Sequence, residues 1–206
     1  MKKFFWVGIG GLALATGGVH ADPTLTLQSL NGFSARIAND LAQAAVEWQL
    51  PAREVGNRAT IQGVVNDSTA QIQQQGAGHY ARYDLAGAGH DIELTQSGTG
   101  HRLQSGVSGF DQSQAVMMAG EDHTAMFFQA GSNNQITADL VGVEHFLWVS
   151  QMGTGNQVTA NFSGAENRAT VMQAGDFNQA DIDLVGVGND VLIIQSGSNT
   201  AVSVSN

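Results

Sequence analysis

The sequence predicts an all-β chain wound as a β-solenoid of about seven 22-residue coils, with two strands per coil and an eleven-residue half-repeat. Three observations carry the prediction. Glycine recurs every eleven residues, twelve times without insertion or deletion: Gly76, Gly87, Gly98, Gly109, Gly120, Gly131, Gly142, Gly153, Gly164, Gly175, Gly186 and Gly197. Between the glycines, apolar and polar residues alternate with a period of two. One inward position carries Gln in every second half-repeat, which doubles the period to 22. A period this strict means that one supersecondary unit is stacked many times.

Each half-repeat can be numbered from its glycine as position one. Glycine at a fixed phase marks a corner that needs positive φ or a close approach of the backbone to its neighbour. Position four is small and polar or His, and its frame runs back to Asn57, with Glu54 and Val65 at the first two glycine positions. Fourteen half-repeats result, the last slightly short. Position six is apolar in thirteen of the fourteen, with Gln114 the exception. Position eight is also apolar in thirteen, with Ser105 the exception. Alternation of this kind marks a half-buried strand, so each unit reads as a strand of about six or seven residues and a tight corner.

Position ten holds Gln129, Gln151, Gln173 and Gln195 at intervals of 22, with Leu140, Phe162 and Leu184 between them. Gln74 and Gln96 fall in the opposite phase, with Met118 near the switch, and nothing in the sequence explains the slip. Stacked coils place equivalent residues about 4.8 Å apart. Inward amides can then bond to the same amide one coil above and below, as in cross-β structures. Positions six and eight form two apolar seams. A large aliphatic residue contributes roughly 1.5–3 kcal/mol when fully buried, against about 1 kcal/mol net for a hydrogen bond. The seams therefore supply most of the stability, and the amides set register.

The first 21 residues read as a secretory leader, with Lys2 and Lys3, an apolar stretch from Phe4 to Ala15, and the small-residue site Val19-His20-Ala21. That stretch is too short to span a membrane. Residues 22–53 are a non-repeat segment, where Phe33, Ile37, Leu41, Ala45 and Trp48 fall at helical spacing and Pro51 ends the pattern. Residues 54–206 are the repeat domain.

Both lysines lie in the leader, so the remainder carries 6 − 18 = −12 charges. That balance argues against a nucleic-acid partner. The chain has no cysteine, so disulfides and thiolate metal sites are excluded. Asp84, Asp91, Asp111, Asp122 and Asp181 are spread over corners and outward positions and imply no pocket. They read as charges that keep the chain soluble. No catalytic residue, cofactor site or metal site is predicted.

The clearest repeat runs Gly164-Ala-Glu-Asn-Arg-Ala-Thr-Val-Met-Gln-Ala-Gly-Asp-Phe-Asn-Gln-Ala-Asp-Ile-Asp-Leu184. It resembles the curlin repeat of the bacterial curli fibre subunits. The resemblance implies a secreted subunit that polymerises into functional amyloid on the cell surface, for adhesion and biofilm matrix. It also implies other curlin subunits and dedicated secretion or nucleation proteins as partners. Asn156, Asn167, Asn178 and Asn189 match the family's Asn position, and Gln129, Gln151, Gln173 and Gln195 its Gln position. Five half-repeats place His where the family has Asn, and Leu85, Val107, Leu140, Phe162 and Leu184 replace Gln. The Asn-Arg-Ala and Gly-Asp-Phe-Asn phrases are similar to the minor, nucleating curlin, and the choice between major and nucleating subunit stays open. The alternative reading is a monomeric β-solenoid adhesin that binds through an apolar face.

Two features lie outside the family pattern. Met126, Phe128, Phe146, Trp148, Met172, Leu192 and Ile194 are predicted to line the outer face of one sheet as a candidate interface, covered by a partner or by residues 30–50. His79, His101, His123 and His145 are mutually 22 apart and are expected to form one vertical row. Stacked imidazolium ions repel, so assembly is expected to weaken as pH falls through about 6.

Overall fold

The computed structural model describes residues 25–28 and 56–205. The expected leader and the helical spacing from Phe33 to Trp48 lie outside the described residues. Along the chain the strands are β1 (Leu25–Gln28), β2 (Arg58–Asn66), β3 (Thr69–Ala77), β4 (Tyr80–Ala88), β5 (Asp91–Thr99) and β6 (Arg102–Phe110). They continue with β7 (Ser113–Glu121), β8 (Thr124–Ser132), β9 (Gln135–Ala138), β10 (Val141–Val143) and β11 (Phe146–Thr154). The last are β12 (Gln157–Val158), β13 (Arg168–Ala174), β14 (Gln179–Ile182), β15 (Asp190–Ser196) and β16 (Ala201–Val204). No helix occurs among the described residues.

Successive strands alternate between two sheets, as a winding coil requires. The first sheet has the order β1-β2-β4-β6-β8-β11-β13-β15, and the second β16-β14-β12-β9-β7-β5-β3, with β10 alongside β7. Every pairing from β2 onward is parallel and shifted by 22 residues, for example Leu147 against Ala169 and Gln151 against Gln173. Only β1 is antiparallel, lying against β2 with Leu25 opposite Ile61 and Gln28 opposite Arg58. The β-solenoid of about seven coils is therefore the fold, as the glycine period predicts.

The strands are longer than the alternation alone suggests. Eight of them, including β4, β7 and β11, run for nine residues because the hydrogen-bonded ladder continues through position one, a glycine in all but β2, where it is Val65. All twelve of those glycines have φ between +86° and +124°. A Cβ built on Gly109 would collide with the carbonyl oxygen of Gly131, one coil further on. Glycine is required here by both φ and the approach of the next coil.

A second special position, missed in the sequence reading, lies two residues later. Asp67, Asp111, Asp122, Asn133 and Asn199 adopt φ between +48° and +58°, and Gly78, Gly89, Gly100, Gly155 and Gly188 occupy the same phase. Asp, Asn and Gly are the residues that tolerate the left-handed region, so the signal was present in composition at that phase. Glu144, Glu166 and Phe177 share the conformation without that excuse.

The second sheet is interrupted from β9 onward. Asn161, Phe162 and Ser163 have φ of +94°, +79° and +111°, and β12 is only two residues long. The break falls at position ten, where this half of the stack holds Leu140, Phe162 and Leu184. All three side chains remain buried. The core is the pair of apolar seams, with Ile92, Leu94, Leu103, Ile136, Leu147, Val149, Val158, Val171 and Ile182 fully enclosed.

Candidate functional site

Position four builds two buried ladders. The first runs Asn57, His79, His101, His123, His145, Asn167 and Asn189, and the second Ser68, His90, Gln112, Asn134, Asn156, Asn178 and Thr200. In the Asn rungs, the side-chain oxygen accepts the backbone N–H of the residue one coil on. Asn156 N–H donates to Asn134 Oδ1 at 3.0 Å, and Asn178 N–H to Asn156 Oδ1 at 3.1 Å. The amide nitrogen donates to corner carbonyls, as Asn156 Nδ2 does to Met152 and Gly175 at 3.3 and 2.8 Å. Asn167 and Asn189 repeat the pattern. All four Asn predicted as ladder residues therefore lie on a ladder.

The histidines make the same two kinds of bond. His123 N–H donates to His101 Nδ1 at 3.3 Å, His145 N–H to His123 Nδ1 at 3.2 Å, and Asn167 N–H to His145 Nδ1 at 3.2 Å. Each Nε2 faces the carbonyl four residues earlier, at 3.0 Å for His79–Gln75, 2.9 Å for His101–Ser97, 2.8 Å for His123–Ala119 and 2.6 Å for His145–Val141. A donor at Nδ1 and an acceptor at Nε2 place the proton on Nε2. Nδ1 thus replaces the Asn oxygen and Nε2–H the Asn amide. The rings stack with centroids 4.8–4.9 Å apart and planes within 14° of parallel. The predicted row is present and neutral. Burial pushes His79, His101 and His145 below the ordinary imidazole value. His123 goes down to about 4, through burial first and then its neighbours His101 and His145, opposed by the Ala119 carbonyl and Asp122.

The position-ten amides form a third ladder inside the coil. Gln129 Nε2 donates to Gln151 Oε1, Gln151 to Gln173, and Gln173 to Gln195, at 2.9, 2.9 and 2.8 Å. Each also donates across the coil to a backbone carbonyl, as Gln173 does to Gln157 at 3.0 Å. In the early coils the ladder stands on the other sheet, where Gln74 donates to Gln96 at 2.8 Å and Gln96 faces Met118 Sδ at 3.6 Å.

The structure accounts for the phase slip. Ser105 Oγ donates to Gln114 Oε1 at 2.9 Å, and Gln114 Nε2 donates to Gln129 Oε1 at 2.7 Å. These are the two residues that break the apolar seams. Gln114, on β7, reaches across the core and supplies the donor that Gln129 needs where its own column begins. A buried amide oxygen left without one would cost about 1–3 kcal/mol.

All seven residues of the candidate interface project from the outer face of the first sheet. Trp148 lies over Met126 and Met172 under Ile194 in register. Met126, Phe128, Phe146 and Met172 are half-buried, whereas Leu192 and Ile194 are 64% and 65% exposed. Nearer the N-terminus the same face holds Thr60, Gln62, Arg82, Asp84 and Gln104, all buried, with Arg82 Nε 3.1 Å from Asp84 Oδ2. The outer face thus changes from polar to apolar along the stack.

The two ends also differ. In the first coil the inward residues Ala59, Ile61, Ala70 and Ile72 are buried. In the last, Val191 and Val204 are half-buried and Val202 is 37% exposed. β15 and β16 are the outermost strands of their sheets.

A family model described as the curlin associated repeat matches residues 66–98 and 164–197. The two segments lie on either side of the ladder crossing. Comparison with the curated proteins finds no match, and comparison with the solved structures finds none either.

Proposed function

This chain belongs to the curlin family, and we propose that it is a secreted structural subunit that stacks coil on coil into amyloid fibres on the cell surface. In that role it contributes adhesion and biofilm matrix and performs no catalysis. Residues 1–21 act as a removable leader, 22–53 as a non-repeat segment and 54–206 as the fibre-forming body. Its partners are further copies, other curlin subunits and the proteins that export or nucleate them.

The observation that carries the proposal is the open last coil. An edge strand presents a row of unpaired N–H and C=O groups, which template another strand. Here β15 and β16 are such edges, and the seam residues Val191, Val202 and Val204 are incompletely covered. The two position-four ladders run through every coil, so an added chain continues them.

Purified chain incubated at micromolar concentration tests the reading. Thioflavin-positive fibres with a meridional reflection near 4.8 Å are the expected result. A sample that stays monodisperse for days overturns it. In that case the exposed Trp148, Leu192 and Ile194 favour the second reading, a monomeric adhesin that binds through its apolar face.

A further inference from the structure

The joint between two molecules can be read from the register inside one. In the first sheet, position five forms an outward column of Arg58, Tyr80, Arg102, Thr124, Phe146, Arg168 and Asp190, each paired with the next in the ladder. The column begins with a cation and ends with its one carboxylate. Extending the frame by one coil sets Asp190 of one chain against Arg58 of another. The same step sets Val191 against Ala59, Ile193 against Ile61, Val202 against Ala70 and Val204 against Ile72, so both seams continue apolar. On the two ladders, Asn189 Oδ1 and Thr200 Oγ1 stand where every earlier rung accepts a backbone N–H from one coil on. The next N–H in each frame belongs to Asn57 and Ser68 of the second chain.

Gln195 needs no glutamine beyond it. Its Nε2 donates to the carbonyls of Gln179 and Thr200 at 2.8 and 2.9 Å, and its Oε1 accepts from Gln173. The frame sets Gly63 next to it, which adds no competing side chain. The corner glycines agree. A Cβ at Gly175 would strike the Gly197 carbonyl, but one at Gly197 meets nothing within 4 Å. Among the described position-one glycines Gly197 alone meets nothing there, and Val65 of a second copy is the residue whose carbonyl would fill the space.

The opposite end of the first sheet is closed. β1 occupies the outer edge of β2 in antiparallel register over four residues. β15 would offer β2 a parallel partner over seven residues, the length of the β13–β15 ladder. Resting on the fibre reading above, we propose that the C-terminal coil is the docking face for the first coil of a second copy, with Asp190 against Arg58, and that β1 is a displaceable cap. The cap has to leave β2 before the N-terminal face can pair, at whichever end of the fibre a chain is added. An incoming chain exchanges its short β1–β2 pairing for the longer β15–β2 pairing.

Two-colour elongation of labelled seeds tests this. Chain carrying Leu25→Pro with Leu27→Pro is expected to elongate wild-type seeds faster than wild-type chain does, because proline withdraws the donors that hold β1 in place. Asp190→Arg is expected to slow elongation at least tenfold. Asp190→Arg combined with Arg58→Asp should restore it to within threefold, which also shows that the charge change does not unfold β15. Gly197→Ala should lower the melting temperature of the free chain through its strained φ while leaving it folded at about 25 °C, and stop elongation there. Elongation no faster with the proline variant, or a double charge variant no faster than the single one, overturns the inference while the fibre reading stands. Absence of any fibre from the wild-type chain overturns both.

Discussion

A neutral imidazole can replace a carboxamide because both offer an acceptor and a donor on the two sides of one carbon. The His row uses that equivalence, and the equivalence ends on protonation. An imidazolium has no lone pair at Nδ1 to receive the backbone N–H of His101, His123, His145 or Asn167. The sign of the pH effect follows. The folded values lie below the ordinary 6.5, so the neutral row contributes its full stability above 6.5. As pH falls from there the unfolded chain binds more protons than the folded one, and stability declines until about 4, the value for His123. The sequence-based expectation of a transition near 6 therefore becomes a wider window reaching lower. The thermal midpoint is expected to be level above pH 7 and to fall progressively between 6.5 and 4. His123→Asn keeps the ladder and should make that fall shallower; an unchanged slope would show that the row does not carry it. At the ladder crossing, Gln114→Leu withdraws the donor from Gln129 and should cost about 1–3 kcal/mol. Thermal melting reads that as about 2–4 °C per kcal/mol for a chain of this size. Tyr83 offers the opposite case. Its hydroxyl is buried without a hydrogen-bond partner among the described residues, so Tyr83→Phe should leave the melting temperature unchanged or raise it.

The corner is the element that the eleven-residue period encodes. Each corner carries two backbone conformations of positive φ, one at the repeating glycine and one two residues later. The first could be read in the sequence because only glycine satisfies it, and its register never slips. The second was obscured because Asp, Asn and Gly share it with Glu144, Glu166 and Phe177. Gly109→Ala is expected to prevent the native fold, since the new Cβ meets a backbone carbonyl that no rotamer change can move. The strained φ alone adds roughly 1–3 kcal/mol. Loss of the cooperative melting transition would be the sign. Phe177→Gly relieves the left-handed strain at a position where five other half-repeats already carry glycine. It should stabilise the chain by about 1 kcal/mol, measured by denaturant titration.

At the level of the molecule, the stack is polarised in two ways. Its outer face is polar and buried near β2, β4 and β6 and apolar near β11, β13 and β15. Its first coil is capped by β1 on the first sheet, whereas neither β15 nor β16 in its last coil has a strand beyond it among the described residues. The exposed Leu192 and Ile194 do not hold the fold together, so Leu192→Ser with Ile194→Ser should change stability by less than about 1 kcal/mol. The same pair should reduce the binding of dyes that report exposed apolar surface. If fibres associate sideways through this face, the variant gives thinner bundles at the same elongation rate.

The sequence by itself determined the coil length, the two seams, the glycine phase and the identity of the ladder residues. These recur in every coil, so each is a local requirement written many times. It also showed that Ser105, Gln114 and Met118 depart from the pattern, but not what the departures do. That depended on the tertiary structure, because Ser105, Gln114 and Gln129 lie on different strands and meet only across the core. The closure of the N-terminal edge by β1 was equally invisible, since an antiparallel strand outside the repeat carries no periodic signal. A period reports what one coil asks of its neighbours. Where a ladder changes sheets, and which end is left bare, are set by contacts that occur once.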